Sequence, residues 1–69
     1  MDLLIRRNGR LYPLEIKMTA NPERRHIAAF GVLDAFPAPY ERGEGGLVCC
    51  YGDPVSLGGP DRVVPPGYL

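Results

Sequence analysis

The sequence predicts an α/β domain: a β-hairpin, one helix, a parallel crossover strand and short C-terminal strands, in one unit spanning residues 1–69. Three observations lead there. Asn8-Gly9 divides two apolar runs, Asn21-Pro22-Glu23 opens a helical pattern, and Leu47-Val48-Cys49-Cys50-Tyr51 is a continuous apolar run of the kind a sheet buries on both faces.

The hairpin comes first. Asn-Gly suits a two-residue type I′ turn, in which both central residues need positive φ. That loop pairs Arg7 with Arg10, hence residues whose numbers sum to 17, and so sets Asp2 opposite Glu15. Pro13 lacks a donor, so its nitrogen should face away from a paired ladder position, or the strand should bulge there. In the helix, Asn21 is expected to cap, Pro22 to take the first helical position and Glu23 to complement the positive helix end. Ile27, Phe30 and Leu33 form its apolar stripe, widened by Ala28, Val32, Ala35 and Phe36, so burial over more than half the circumference is expected as far as about Phe36. Pro37 and Pro39 end it. A polar, Gly-rich connection leads through Gly46 to the strand at residues 47–51, parallel to the second hairpin strand in a right-handed crossover. Turns at Gly52-Asp53-Pro54 and Gly58-Gly59-Pro60-Asp61 flank Val55-Ser56-Leu57, and Arg62-Val63-Val64 is expected as a short edge strand.

Composition limits the function. With 8 Lys+Arg against 8 Asp+Glu the formal net charge is zero, so nonspecific DNA binding through a basic surface is disfavoured and any nucleic-acid contact must be local. A chain of 69 residues hides only about 60% of the surface its unfolded form exposes, which points to a partner or a second copy. No apolar run approaches the roughly 20 residues that span a bilayer, and no secretory signal opens the chain; no membrane association and a cytoplasmic location are expected. Of nine glycines and eight prolines, only Gly9, Pro13, Pro22 and Gly31 precede Phe36, so regular structure is concentrated in the first half. Cys49 and Cys50, adjacent in an apolar run with His26 the one histidine, read as small buried hydrophobes that do not bridge each other.

The hairpin carries the chemistry. Lys17 projects on the same face as Glu15, because strand side chains repeat every two residues, so two carboxylates and an ammonium converge. Directly opposed like charges destabilise a sheet unless a cation lies between them or Lys17 offsets them. A divalent cation with oxygen ligands, Mg2+ or Mn2+, suits such a pair, and an adjacent lysine can orient or help deprotonate an attacking water. That layout is the one used in metal-assisted phosphodiester hydrolysis.

Asp2, a gap of twelve, then Glu15-Ile16-Lys17 resembles the D…ExK signature of the PD-(D/E)xK, restriction-endonuclease-like nucleases. Asp-Leu-Leu-Ile, Leu-Tyr-Pro-Leu-Glu-Ile-Lys, the Asn-Pro helix start and the ending Val-Val-Pro-Pro-Gly-Tyr-Leu resemble, over nearly the whole chain, the uncharacterised C-terminal domain of predicted prokaryotic AAA-type ATPases. The resemblance implies a truncated restriction-endonuclease-like core. It also implies that Asp2, Glu15 and the Ile16 carbonyl bind metal, that Lys17 serves catalysis, and that DNA and an AAA-type ATPase are partners.

The departure from that family is at the front, where its first helix and first core strand have no counterpart; the chain reads as the detached tail of a larger architecture. No phosphate-binding Gly-x-x-x-x-Gly-Lys-Ser/Thr loop is present, so ATP hydrolysis is not expected of it. Asp2 and Glu15 can equally be solvent-facing residues of an edge hairpin, with Lys17 neutralising Glu15. Arg6, Arg7 and Arg10 at the turn, and Arg24, Arg25 and His26 at the helix start, suit phosphate contacts or plain solvation. Three readings follow: a metal-dependent nuclease module, a non-catalytic interaction domain that keeps the fold, and a fragment stable only as a homo-oligomer. A two-fold dimer is expected, through either the exposed edge at the strand that carries Asp2 or the uncovered apolar side of the helix.

Overall fold

The structure is a computed structural model that describes residues 1–68. It has a mixed α/β architecture, a six-stranded sheet with one helix against one face. The strands are β1 (Leu3–Arg7), β2 (Arg10–Ile16), β3 (Glu41–Arg42), β4 (Gly46–Val48), β5 (Ser56–Gly58) and β6 (Asp61–Val64). Their order across the sheet is β1-β2-β4-β6-β5, with β3 also paired to β2. Leu69, the last residue of the tail that carries part of the family resemblance, lies outside the described residues.

The hairpin forms as the turn chemistry dictates. Asn8 and Gly9 take φ of 53° and 79°, and β1 pairs antiparallel with β2 from Arg7↔Arg10 to Leu3↔Leu14. Leu11, Pro13 and Glu15 of β2 face the core, while Tyr12 and Leu14 lie half-buried on the opposite face. β2 and β4 are parallel, with Glu15 beside Leu47, so the chain crosses over through the helix as expected.

Pro13 explains why β3 and β4 are two strands. β3 pairs with Arg10 and Leu11, and β4 with Leu14, Glu15 and Ile16. Pro13 falls at the break, where its nitrogen has no hydrogen to offer the neighbouring strand. There that strand makes an excursion through Gly43, Glu44 and Gly45, and the Gly45 N–H turns away to donate to the Asp61 carboxylate at 3.0 Å. A Cβ on Gly45 would stand 2.5 Å from Asp61 Oδ1 and 2.7 Å from the Phe30 ring, so only glycine fits that approach.

The helix departs from expectation. It is a 3₁₀ helix at Arg24–Ala35, interrupted at Ile27 (φ −113°, ψ 17°). Glu23, not Asn21, is its N-cap; the Glu23 N–H donates to His26 Nδ1 at 3.0 Å, a bond that uses a side chain three residues inside the helix. Asn21 instead donates its N–H to Thr19 Oγ1 at 3.0 Å in the preceding turn. The Arg25 guanidinium on the Glu23 carboxylate holds that carboxyl below its usual range. Ile27, Phe30 and Leu33 are spaced by three, and in a 3₁₀ helix residues i and i+3 eclipse, so all three point at the sheet. The same winding narrows the buried stripe to those residues and leaves Val32 and Phe36 exposed, where burial over more than half the circumference was expected. The core is Ile27, Phe30, Leu47, Cys49, Leu57 and Val63, with Tyr51 packed against it.

The crossover strand is shorter than its apolar run. It spans Gly46–Val48, after which Cys49 stays buried and Cys50 is exposed, contrary to the reading of both cysteines as core. The Cys50 N–H donates to the Thr19 carbonyl at 2.8 Å, which draws the chain off the sheet. The Arg62-Val63-Val64 segment is not an edge: β6 lies parallel to β4 on one side and antiparallel to β5, the true edge, on the other. Val63, completely buried between them, fixes that position.

Candidate functional site

The ladder ends at Leu3 paired with Leu14, and Asp2, the residue before β1, lies at the end of β2 that carries Glu15. Asp2 sits outside the strand proper but is tied to it twice. Its N–H donates to the Leu14 carbonyl at 2.9 Å, and its Oδ2 accepts the Ile16 N–H at 2.8 Å. In a strand the N–H and C=O of one residue point the same way, so the Ile16 carbonyl faces the Asp2 edge too. Glu15 is 7% exposed and accepts two cations: Lys17 Nζ stands 3.5 Å from Oε2 and the Met1 amino group 3.3 Å from Oε1. All four sequence-derived site residues, Asp2, Glu15, Ile16 and Lys17, thus meet at one end of the hairpin.

Electrostatics there favour ionised Asp2. The Ile16 N–H is the main cause that lowers its pKa, followed by a hydrogen bond with the Glu15 carboxyl and by the positive charges of the amino terminus and Lys17. Asp2 is therefore a carboxylate throughout the physiological range. The donor set, two carboxylates and a carbonyl, is hard oxygen chemistry of the type Mg2+ and Mn2+ accept. The ammonium groups now on Glu15 show that the locus holds positive charge, and a divalent cation there would displace or share it. Among the described residues no group of three or more His, Cys, Asp or Glu is placed to hold a metal ion, so water would have to complete the coordination.

A second charged cluster was not anticipated. Arg42 of β3 donates from Nη1 and Nη2 to the two oxygens of Asp61 at 2.6 and 2.9 Å, and also to the Gly43 carbonyl at 2.7 Å. Its guanidinium carbon lies 5.4 Å from the Phe30 ring centre. Asp61 is 6% exposed, and its hydrogen bonds raise the Arg42 pKa further above the ordinary value. Arg42 Nε is buried without a partner. This pair closes the excursion between β3 and β4 onto β6. One signal was legible: Asp61 precedes Val63 by two in an alternating strand and so must share its core face, where an unpaired carboxylate is untenable.

The other basic residues have ordinary settings. Arg6 Nη1 donates to the Tyr40 hydroxyl at 3.2 Å, and Arg10 lies 3.7 Å from Glu41. Arg24 donates to the Leu57 carbonyl, joining the helix start to β5. His26 accepts its capping bond and faces no nucleophile among these contacts.

The face of the sheet away from the helix is open. A cleft of about 590 Å³ runs over it, floored by Ile5, Tyr12, Leu14 and Val64 and flanked by Arg7 and Arg62. Among the described residues no helix is long and apolar enough to cross a membrane. No protein-family model matches this chain, and neither does any curated protein or solved structure.

Proposed function

We propose that the chain is a nuclease-like module of the PD-(D/E)xK type, related to the tail of AAA-type ATPases, that uses Mg2+ or Mn2+ to hydrolyse a DNA phosphodiester. The observation that carries this reading is the meeting of Asp2 with Glu15 and Lys17 on a strand that leads through a helix into a parallel neighbour, β4. Asp2, Glu15 and the Ile16 carbonyl would hold the cation. When bound, it would lower the pKa of a coordinated water and polarise a phosphoryl oxygen.

The chain's own residues do the rest. Asp2 is kept ionised by the Ile16 N–H and so remains a ligand at neutral pH. Glu15, anchored in the buried row of β2, positions Lys17 beside it. The Lys17 ammonium, 46% exposed, reaches solvent where it can meet an anionic phosphate oxygen and orient the attacking water. Calorimetric titration of Mn2+ into the parent protein and Asp2→Asn tests the site. Weak binding, at about millimolar strength for two carboxylates beside one ammonium, is expected for the parent and none for the variant. Flat traces for both contradict the proposal.

A second reading is a non-catalytic interaction domain with the same fold. It is favoured by the open sheet face, whose Leu3, Ile5 and Ile16 are all exposed apolar residues. Metal binding without cleavage of duplex, branched or single-stranded DNA would put it ahead.

A further inference from the structure

Six of the eight lysine and arginine side chains have a partner among the described residues: Arg6 the Tyr40 hydroxyl, Arg10 Glu41, Lys17 Glu15, Arg24 the Leu57 carbonyl, Arg25 Glu23 and Arg42 Asp61. Arg7 and Arg62 have none there, and these two flank the cleft on the open face of the sheet. Both are exposed, with Glu44 the one acid beside them. In a chain of zero net charge, the cleft is a local site of net positive charge.

The floor between the two arginines is apolar and level. Ile5 belongs to β1, Tyr12 and Leu14 to β2, and Val64 to β6. Leu14 and Val64 close over Gly46 of β4, where a Cβ would stand 2.7 Å from Leu14 Cδ2 and 2.9 Å from Val64 Cγ2. No side chain of β4 projects at Gly46, so a flat ring can lie on this aliphatic surface beside the half-buried Tyr12.

The register sets how far apart the cations stand. Arg7 pairs with Arg10 of β2, and Arg62 lies through Gly46 in the row of Leu14, while β1 and β6 are separated by β2 and β4. At about 3.3 Å per residue and about 4.8 Å per strand, the two Cα atoms are about 19 Å apart. Side chains stand up from a sheet, so one phosphate does not join both. Two anions with flat apolar groups between them do match. A single strand of nucleic acid has that pattern: phosphates suited to the guanidinium fork, and unpaired bases whose faces are open to the floor. A duplex keeps its base faces inside the stack, and an acidic peptide brings charge without flat rings.

We propose that this cleft binds single-stranded DNA, with different phosphates of one strand on Arg7 and Arg62 and bases laid on Tyr12, Leu14 and Val64. The choice of DNA rests on the function proposed above. The cleft itself does not need the cation, because Glu15 faces the core on the other side of the sheet.

Fluorescence anisotropy of a labelled oligothymidylate of about ten nucleotides, titrated with the full chain in EDTA, tests the cleft apart from the cation site. The logarithm of affinity should fall with that of salt at a slope of about −1.4, from two phosphate contacts at about −0.7 each. Arg7→Ala and Arg62→Ala, both at exposed positions, should each weaken binding about threefold to fivefold and bring the slope to about −0.7. Glu44→Gln should strengthen it. An abasic strand of the same length, and a duplex, should bind about tenfold more weakly. Equal affinity for the abasic strand, the duplex or a polyglutamate peptide overturns the proposal. So does a salt slope unmoved by both arginine variants, or no anisotropy change in EDTA up to about 1 mM protein. Loss of DNA binding with Mn2+ binding intact removes the cleft alone, and DNA binding with flat Mn2+ traces removes the cation site alone.

Discussion

Two clusters of acids and bases sit at opposite ends of the same sheet, and they are built on different principles. Arg42 and Asp61 are matched one to one, with two parallel hydrogen bonds and side chains 14% and 7% exposed. Asp2 and Glu15 are matched only loosely, by the Lys17 and Met1 ammonium groups without bidentate geometry, at an edge where Asp2 is exposed. The first cluster is closed: bidentate geometry, a backbone donor from Gly45 and the Phe30 ring consume what the charges can offer. The second is held loosely, with the Lys17 and Met1 ammonium groups 3.5 and 3.3 Å from Glu15 and Asp2 beside solvent. A closed pair stabilises a fold; an open one leaves free energy for a ligand.

Breaking the closed pair should have the largest effect. Arg42→Met leaves Asp61 buried without its cation, a loss of about 3–5 kcal/mol. That is a large share of the 5–15 kcal/mol typical of whole domains, so urea denaturation should show a strongly destabilised or unfolded protein. Adding Asp61→Leu should recover most of it, short of the about 1–3 kcal/mol for the Gly45 N–H then left without an acceptor. If Arg42→Met unfolds at the parent's denaturant midpoint, the pair is not the clasp described above.

A smaller loss is expected at the glycine that lets the pair close. Gly45→Ala forces a methyl group against Asp61 Oδ1 and Phe30, an overpacking cost of about 1–3 kcal/mol, readable as a lower thermal midpoint. The open cluster should respond differently. Asp2→Asn keeps the shape of the side chain and gives up only the exposed charge that the Ile16 N–H and the nearby ammonium groups favour, so the unfolding midpoint should fall slightly at most while Mn2+ binding disappears. A variant that unfolds early instead would make the open cluster a structural element like the closed one.

The smallest effect is in acid. The folded pKa of Asp2 is depressed, so its contribution is fully present above the usual aspartate value and is lost as pH falls toward the lower folded one. Through that window the Ile16 amide, which donates to Asp2 Oδ2, should lose protection from hydrogen exchange before the amides around Val63 do. Simultaneous loss would mean that the two ends do not open independently.

Much of the first half was legible because its signals are local. Asn8-Gly9 specifies a turn, and the turn specifies the register, which carries Asp2 to Glu15 and Lys17 without further information. The helix was placed but not its winding, although Ile27, Phe30 and Leu33 at intervals of three are the mark of 3₁₀ geometry. The second half failed for a different reason. Whether Arg62-Val63-Val64 is an edge or an interior strand depends on what pairs beside it, a nonlocal fact that three residues do not encode. β3 escaped notice because two residues, Glu41 and Arg42, have no periodicity to read. Its position follows only once Pro13 is known to interrupt the neighbouring ladder. The Arg42–Asp61 pair joins residues far apart in sequence and became visible with the fold.

The central claim is that the open cluster is a divalent cation site, and paramagnetic line broadening by Mn2+ tests it residue by residue. Substoichiometric Mn2+ should broaden the amides of Asp2, Glu15, Ile16 and Lys17 first in the parent protein, leave those around Arg42 and Asp61 sharp, and lose that selectivity in Asp2→Asn. Broadening that is uniform across the chain, or identical in parent and variant, would contradict it.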